Sequence, residues 1–395
     1  MEALSIITSI SVLLLLGIVS SVLCKKFKIP DVLVLILIGA VLGFVQYHGH
    51  SLFEFPVLFL AAISILALAL IIFDSSVMLR FRNLDVYSWK ALKLVLIFSL
   101  LVFIIFSAIA HFALGISVWL SVLFAVIIAG TSPEVVMPIL SGRKGLALNV
   151  LKLESVFNAP LSIVLPFVVI DLMQGAPSGA VPEFIGLAVP FFTQLVASIG
   201  SGIFVGIILF KLTQKRYSPI YSPLAVIVAA MITYVLSENL GGHGVIAVAT
   251  LGVFFGNVYL KQNKLGLFSV DSVLTKALMI FVFILVGITV KIPLSVDFFV
   301  TSIVLFGAYL LIRFIAVSLC FRELDFRTNL FMSLVCPKGI STAVVVFILA
   351  IHNLPGALYF VPGVSIVLDF TLMFILLSVI VSSIVALHYK NSIGD

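Results

Sequence analysis

Charge is scarce in this sequence. Asp, Glu, Lys and Arg together make up 10% of its 395 residues, against 63% that are apolar. A soluble domain carries about a quarter charged residues, so a water-soluble globular fold is excluded. Cysteine is nearly as rare: Cys24, Cys320 and Cys336 lie in or at the ends of apolar runs without paired spacing, which leaves no disulfide or zinc framework. The six histidines sit mostly at the ends of such runs, and neither an HExxH nor a GxSxG pattern occurs, so an intramembrane enzyme has no visible nucleophile and base. Connections are short, leaving no room for a soluble catalytic domain or the signalling domain a receptor needs. The net charge of +6 is spread over these connections without interleaved aromatics and carries no nucleic-acid signature.

What the chain has in abundance is apolar runs of membrane-crossing length. A helix needs roughly 20 apolar residues to cross a hydrocarbon layer about 30 Å thick. Segmentation gives thirteen spans: Leu4–Cys24, Val32–Tyr47, Phe53–Phe73, Leu94–Leu114, Val118–Leu140, Leu146–Met173, Ile185–Phe210, Pro219–Ser237, Val245–Leu260, Ser272–Val290, Phe298–Cys320, Asn329–Ile351 and Tyr359–His388. The second and ninth are short for a full crossing. The first is too long for a secretory signal and is followed by Lys25, Lys26 and Lys28 rather than a small-residue cleavage site, so it is expected to be retained. Of the 22 basic residues, 17 fall on alternate connections, at 25–28, 80–93, 143–144, 211–216, 261–264, 322–327 and 390. The other set carries only Lys291, while Lys152, Lys276, Arg313 and Lys338 lie inside apolar runs. Basic loops stay in the cytoplasm, which predicts an external N-terminus and a cytoplasmic C-terminus.

The fold class expected is therefore an all-α polytopic membrane protein. Six spans precede the seventh and six follow it in opposite orientation, a 6+1+6 arrangement of inverted-topology repeats, with a turn-rich connection at Gln174–Glu183 near the midpoint. Spans five and twelve correspond in the two halves, and both are interrupted. Span five contains Gly130-Thr131-Ser132-Pro133-Glu134, and span twelve Cys336-Pro337-Lys338-Gly339-Ile340-Ser341. Proline removes a backbone donor and glycine permits non-helical dihedrals, so both helices are predicted to be discontinuous at mid-membrane depth. Paired breaks with a charge at each, Glu134 and Lys338, point to a transport site; two ordinary proline kinks are the plainer alternative.

Ionisable groups inside a bilayer cost a few kcal/mol and are functional candidates. The mid-span set is Glu134, Glu154, Arg313, Lys338 and Asp369. Glu154 and Asn158 are i,i+4 neighbours in span six, with Ser155, Ala159 and Ser162 on an adjacent stripe. Arg313 is the natural partner for Glu154, either as a static packing pair or as part of the mechanism. Thr131, Ser132, Ser155 and Asn158 are neutral oxygen donors of the kind that bind small hard cations, joined by unwound carbonyls near Gly130. Alternatively, these hydroxyls bond to carbonyls one turn earlier.

At Gly130–Pro133 and Glu154–Pro160 the chain resembles the monovalent cation/proton antiporters, in particular the archaeal and bacterial NhaP-like branch related to the animal sodium/proton exchangers. Arg313 and Lys338-Gly339 are similar to the basic residue of that family's span eleven and the Arg-Gly break of its span twelve. Leu66–Phe73 followed by Asp74 is similar to its third span. The resemblance implies exchange of Na⁺, K⁺ or Li⁺ for H⁺ by alternating access, without any cofactor and with no metal beyond the monovalent cation, in the plasma membrane of a prokaryote. It implies a homodimer embedded in lipid. Residues 1–91 (spans 1–3) and 213–292 (spans 8–10) would form a dimer scaffold, 174–212 a linking span 7, and 92–173 (spans 4–6) with 293–395 (spans 11–13) a mobile core. Thr131, Ser132, Ser155 and Asn158 would lie near the ion, Glu154 and Arg313 would pair, and Lys338 would offset the broken helix dipoles.

Two positions depart from the family pattern. Its span-five Asp is Ser132, and the span-six Asp that binds the cation and carries the proton is Ala159. A methyl group neither coordinates an ion nor titrates, so weak or absent exchange is expected. Three accounts stand beside each other: an introduced inactivating substitution; a divergent member whose proton coupling moved to Glu134, Glu154 or Asp369; or a scaffold that moves another solute, such as K⁺ or an organic anion.

Overall fold

The computed structural model describes residues 2–27, 31–47, 50–51, 53, 55–79, 86–140, 145–175, 184–213, 221–262, 273–289, 293, 295–352 and 362–388. Apolar sequence becomes helix almost throughout, because inside a bilayer only a helix satisfies its own backbone. The order is α1 (Glu2–Phe27), α2 (Asp31–Phe44), α3 (Val57–Val77), α4 (Val86–Leu101), α5 (Ser107–Leu114), α6 (Val118–Ala129), α7 (Pro133–Ile139), α8 (Leu146–Gly175), α9 (Phe184–Thr213), α10 (Tyr221–Asn239), α11 (Gly244–Gln262), α12 (Val273–Thr289), α13 (Val296–Cys320), α14 (Phe326–Leu334), α15 (Ile340–His352) and α16 (Val364–His388). Eight helical stretches among the described residues are long and apolar enough to cross a membrane, and five shorter apolar helices accompany them. The chain is a multi-pass α-helical membrane protein.

Local chemistry sets several boundaries. Ser117, Ser295 and Asp325 cap α6, α13 and α14, each side chain accepting from an amide three residues on. Gly115 ends α5 in a left-handed conformation at φ 63°. Other boundaries differ from the expected ones. Span two stops at Phe44; Tyr47 instead pairs with His50 in a two-residue hairpin, β1 (Gln46–Tyr47) with β2 (His50–Ser51), a small exception to an all-α fold. Span four starts at Val86 rather than Leu94, so Lys90 and Lys93 lie on the first turns of α4 and not in the preceding connection. Lys211 likewise lies in the last turn of α9, which runs on to Thr213. A lysine stem is apolar enough to extend a helix while its head reaches water. Between α4 and α5, residues Val102–Phe106 form a π-helical turn that periodicity did not reveal. The connection at 174–183 lies, from 176 onward, outside the described residues, as do Lys28, Arg80, Arg82, Arg143, Lys144, Lys215, Arg216, Lys264, Lys291 and Lys390.

Contacts divide the chain into two units. One comprises residues 1–64, 85–162 and 277–395, the other 65–84 and 163–276. In the second unit α9, α10 and α11 pack on one another, the Phe73 and Phe255 rings approach to 5.7 Å, and Asn257 Nδ2 donates to Leu79 O at 2.7 Å. In the first unit a buried aromatic cluster built from Phe98, Phe106, Phe124, Tyr309 and Phe374 fills the space between α4, α6, α13 and α16. Every residue singled out above as a site candidate belongs to this first unit.

Candidate ion-binding site

Both interruptions are present, and they cross. α6 ends at Ala129, residues 130–132 run non-helically, and α7 resumes at Pro133, a first-turn position where the missing N–H is no loss. α14 ends at Leu334, residues 335–339 are non-helical, and α15 begins at Ile340. The two gaps are joined directly: Ser132 N–H donates to Pro337 O at 3.1 Å, and the Ser132 and Ser341 hydroxyls share a hydrogen bond at 3.2 Å. α16 supplies further caps. The Cys336 N–H donates to Ser382 Oγ and the Lys338 N–H to Ser378 Oγ, while Ser382 Oγ donates to Leu334 O. A buried backbone group left unpaired costs about 1–3 kcal/mol, so these bonds are what permit non-helical chain at this depth.

Glycine at these breaks serves close approach rather than unusual dihedrals. Gly130 has φ −68° and ψ 149°, extended backbone that any residue adopts. A Cβ there would stand 2.2 Å from Ser162 Cβ, and one on Gly339 would stand 2.7 Å from Ser132 Cβ. Only a hydrogen fits, and the breaks close on α8 and on each other.

α8 lays Glu154, Asn158 and Ala159 against this crossing. Asn158 Nδ2 donates to Ala129 O at 3.2 Å and to Thr131 Oγ1 at 3.4 Å, bringing two expected ligands together. Arg313 of α13 donates from Nη1 to Glu154 Oε1 at 2.9 Å and from Nη2 to Glu154 Oε2 at 2.8 Å, with both side chains essentially fully buried. The guanidinium also lies 4.9 Å from the Phe98 ring centroid. Two parallel charge-assisted bonds hold the carboxylate in one orientation.

Lys338 is completely buried. Its Nζ donates to Gly130 O at 2.6 Å and to the Tyr309 hydroxyl, and lies 4.4 Å from the Tyr309 ring centroid. Span twelve's charge is therefore seated on the carbonyl of span five's break.

The other candidates are placed differently from one another. Ser155 Oγ turns back to Lys152 O at 2.8 Å, the one-turn-earlier bond that competes with a ligand role. Glu134 is exposed in the first turn of α7, while its neighbours Pro133 and Val135 are buried. Asp369 is half-buried on α16 and makes no hydrogen bond to the crossing residues. Ala159 is buried beside Asn158, its carbonyl accepting from Ser162 Oγ at 2.8 Å.

A sequence profile of the family described as "Sodium/hydrogen exchanger, transmembrane" matches residues 10–387. The chain belongs to the sodium/hydrogen exchanger family. That places it among membrane transporters rather than enzymes. It is 27% identical over 368 residues to a K⁺/H⁺ antiporter NhaP2 of Shewanella baltica, matching 90% of this chain and 61% of that protein, so it spans under two thirds of that relative's length. It is 25% identical over 388 residues to Na⁺/H⁺ antiporter 1 of Methanocaldococcus jannaschii, matching 90% of this chain and 86% of the relative. The solved structure of the sodium proton antiporter MjNhaP1 from Methanocaldococcus jannaschii at pH 8 superposes with a TM-score of 0.80, covering 99% of this chain and 100% of that one at 23% identity. The exchanger fold is thus shared from end to end.

Four residues of this exchanger's crossing were not anticipated: Tyr309, Ser341, Ser378 and Ser382. Two serines one helical turn apart on α16 (Ser378, Ser382) and a lone tyrosine amid phenylalanines in α13 were the available signals. Neither carries meaning until the breaks need caps.

Proposed function

We propose that this chain is a secondary active antiporter that exchanges a monovalent cation, Na⁺ or K⁺, for H⁺ by alternating access, with the ion held where the two helix breaks meet α8. The observation that carries the reading is the crossing itself: two discontinuous helices bonded through Ser132 N and Pro337 O, with Thr131 Oγ1, Asn158 and the Ala129 and Gly130 carbonyls converging on it. Such oxygens suit hard cations, and non-helical backbone at membrane depth is tolerated where it is protein-enclosed or lines a cavity. The relatives named as Na⁺/H⁺ and K⁺/H⁺ antiporters support the same solute class. Neutral oxygens alone offset little of a cation's dehydration, so with Ala159 in the carboxylate's place the chain exchanges weakly or not at all.

The reading extends to the architecture. Eight long and five shorter apolar helices support thirteen spans in a 6+1+6 inverted repeat, with the N-terminus outside and the C-terminus in the cytoplasm of a prokaryotic cell. Spans 4–6 and 11–13 form the moving core, and spans 1–3 and 8–10 the scaffold of a homodimer in the plasma membrane. The test is Ala159→Asp in proteoliposomes under imposed pH and Na⁺ or K⁺ gradients. A restored or raised pH-dependent exchange is expected; an unchanged rate for both cations refutes the role given to this position.

A further inference from the structure

Two of the carbonyls at span five's break, those of Ala129 and Gly130, are already engaged. Asn158 Nδ2 holds Ala129 O at 3.2 Å, and Lys338 Nζ holds Gly130 O at 2.6 Å. Lys338 is fully buried, and both of its acceptors are neutral oxygens, a carbonyl and the Tyr309 phenol. The buried carboxylate nearby, Glu154, has both oxygens on Arg313 and is not available to it. Tyr309 is itself fully buried, its ring fixed by Phe98, Phe306 and Phe374 at centroid distances of 5.5, 6.1 and 5.8 Å. The Lys338 main chain is fixed as well, by Ser378 Oγ at 3.0 Å. Head and base of this side chain are both located, so its seat on Gly130 O is built rather than incidental.

An ammonium on an exposed carbonyl satisfies that oxygen with positive charge, which is what a dehydrated alkali cation does there. We propose that Lys338 is a tethered occupant of the cation site, its ammonium holding Gly130 O in competition with the transported ion, and that Tyr309 is its positioning residue. The proposal rests on the antiport reading of this site. A cation that is to use Gly130 O must first displace the lysine, and with a methyl group at Ala159 no adjacent carboxylate offsets that loss. Lys338 is then a determinant of how weakly the chain binds cations, separate from the missing acid.

The test measures direct binding of radiolabelled Na⁺ to the purified full-length protein in detergent, for the unaltered chain and for Lys338→Met, Tyr309→Phe and Ala159→Asp. Removing one charge-assisted hydrogen bond from the competition corresponds to roughly tenfold or more in affinity. Lys338→Met is expected to bind Na⁺ at least about tenfold more tightly than the unaltered chain. Tyr309→Phe keeps the ring packing and is expected to shift affinity the same way by a smaller factor. Unchanged or weaker binding by a Lys338→Met protein that melts like the unaltered chain overturns the proposal. If Lys338→Met does not fold, unchanged binding by Tyr309→Phe overturns it. Binding and exchange by Ala159→Asp with no gain in Lys338→Met refutes the tethered occupant alone. No Na⁺ binding in any of the three variants refutes it together with the Na⁺ reading of the site.

Discussion

Glu154 and Arg313 form the most thoroughly desolvated ion pair among the described residues, with side-chain exposures of 1% and 0%. Their two bonds, at 2.9 and 2.8 Å, leave neither carboxylate oxygen without a guanidinium donor. The energetics are asymmetric. Removing one partner strands a charge in a low-dielectric interior and costs about 3–5 kcal/mol, whereas replacing both by apolar groups of similar size is often neutral or stabilising. Glu154→Gln keeps the side chain's shape and one acceptor but leaves the guanidinium uncompensated. It is expected to destabilise the protein by about 3–5 kcal/mol, read as an earlier unfolding transition in SDS–detergent mixed micelles or on heating. The double variant Glu154→Leu with Arg313→Met is expected to return to within about 1 kcal/mol of the unaltered chain. Arg313 is also packed over Phe98, so part of the single Arg313→Met cost is lost contact rather than lost charge. A Glu154→Gln loss below about 1 kcal/mol, or a double variant worse than either single one, refutes the claim that desolvated charge dominates here.

Gly130→Ala places a methyl group 2.2 Å from Ser162 Cβ, a backbone-level clash that no side-chain rotation relieves, and is expected to lower the unfolding temperature and abolish any exchange gained by Ala159→Asp. His243, in the connection between α10 and α11, has its pKa lowered to about 4 by burial, although Asp171 Oδ2 stands 3.7 Å from its Nε2. At that distance the carboxylate does not make good the lost hydration, so the folded protein holds a neutral ring and the unfolded chain takes up the proton first. The stability this contributes is present above about pH 6.5 and falls as pH drops towards 4, by at most on the order of 3 kcal/mol. Unfolding midpoints for the unaltered chain and His243→Gln between pH 7.5 and 4.5 check this, and parallel pH profiles for the two refute it.

Hydropathy made the membrane class legible because crossing a bilayer demands long apolar runs, and the two interruptions were legible because Gly, Pro and charge are conspicuous inside such runs. The Glu154–Arg313 contact was accessible by elimination, as buried opposite charges seek each other. Hydroxyl directions were not legible. Ser155 and Asn158 looked alike as oxygen donors, yet Ser155 turns to Lys152 O and Asn158 reaches α6, since a short serine can return to its own helix while an amide extends beyond it. Glu134 followed the same logic in reverse: its place beside the break suggested the centre, but helix geometry turns it outward while Pro133 and Val135 turn inward. Helix ends failed where lysine stems prolong a span, and the hairpin after α2 and the π-helical turn after α4 leave no periodic signature.

Each break is bonded to partners outside its own helix. The Ser132 amide needs Pro337 O, the Gly130 carbonyl needs Lys338, and the amides of Cys336 and Lys338 need the serines of α16. Each partner comes from another segment, so the two discontinuous helices stabilise one another and would unwind or reseal together. On the antiport reading proposed above, the same reciprocity marks where an ion would enter. Two of these cross-bonds, those of Asn158 to Ala129 O and Lys338 to Gly130 O, have a side chain as donor and can open by rotation of that side chain without moving the main chain. On the proposed reading of the site, cation binding and the release of these two carbonyls are therefore one event. A chain in which Lys338 is locked on Gly130 O by Tyr309, with no acid at Ala159 to draw it off, is held on the unbound side of that event.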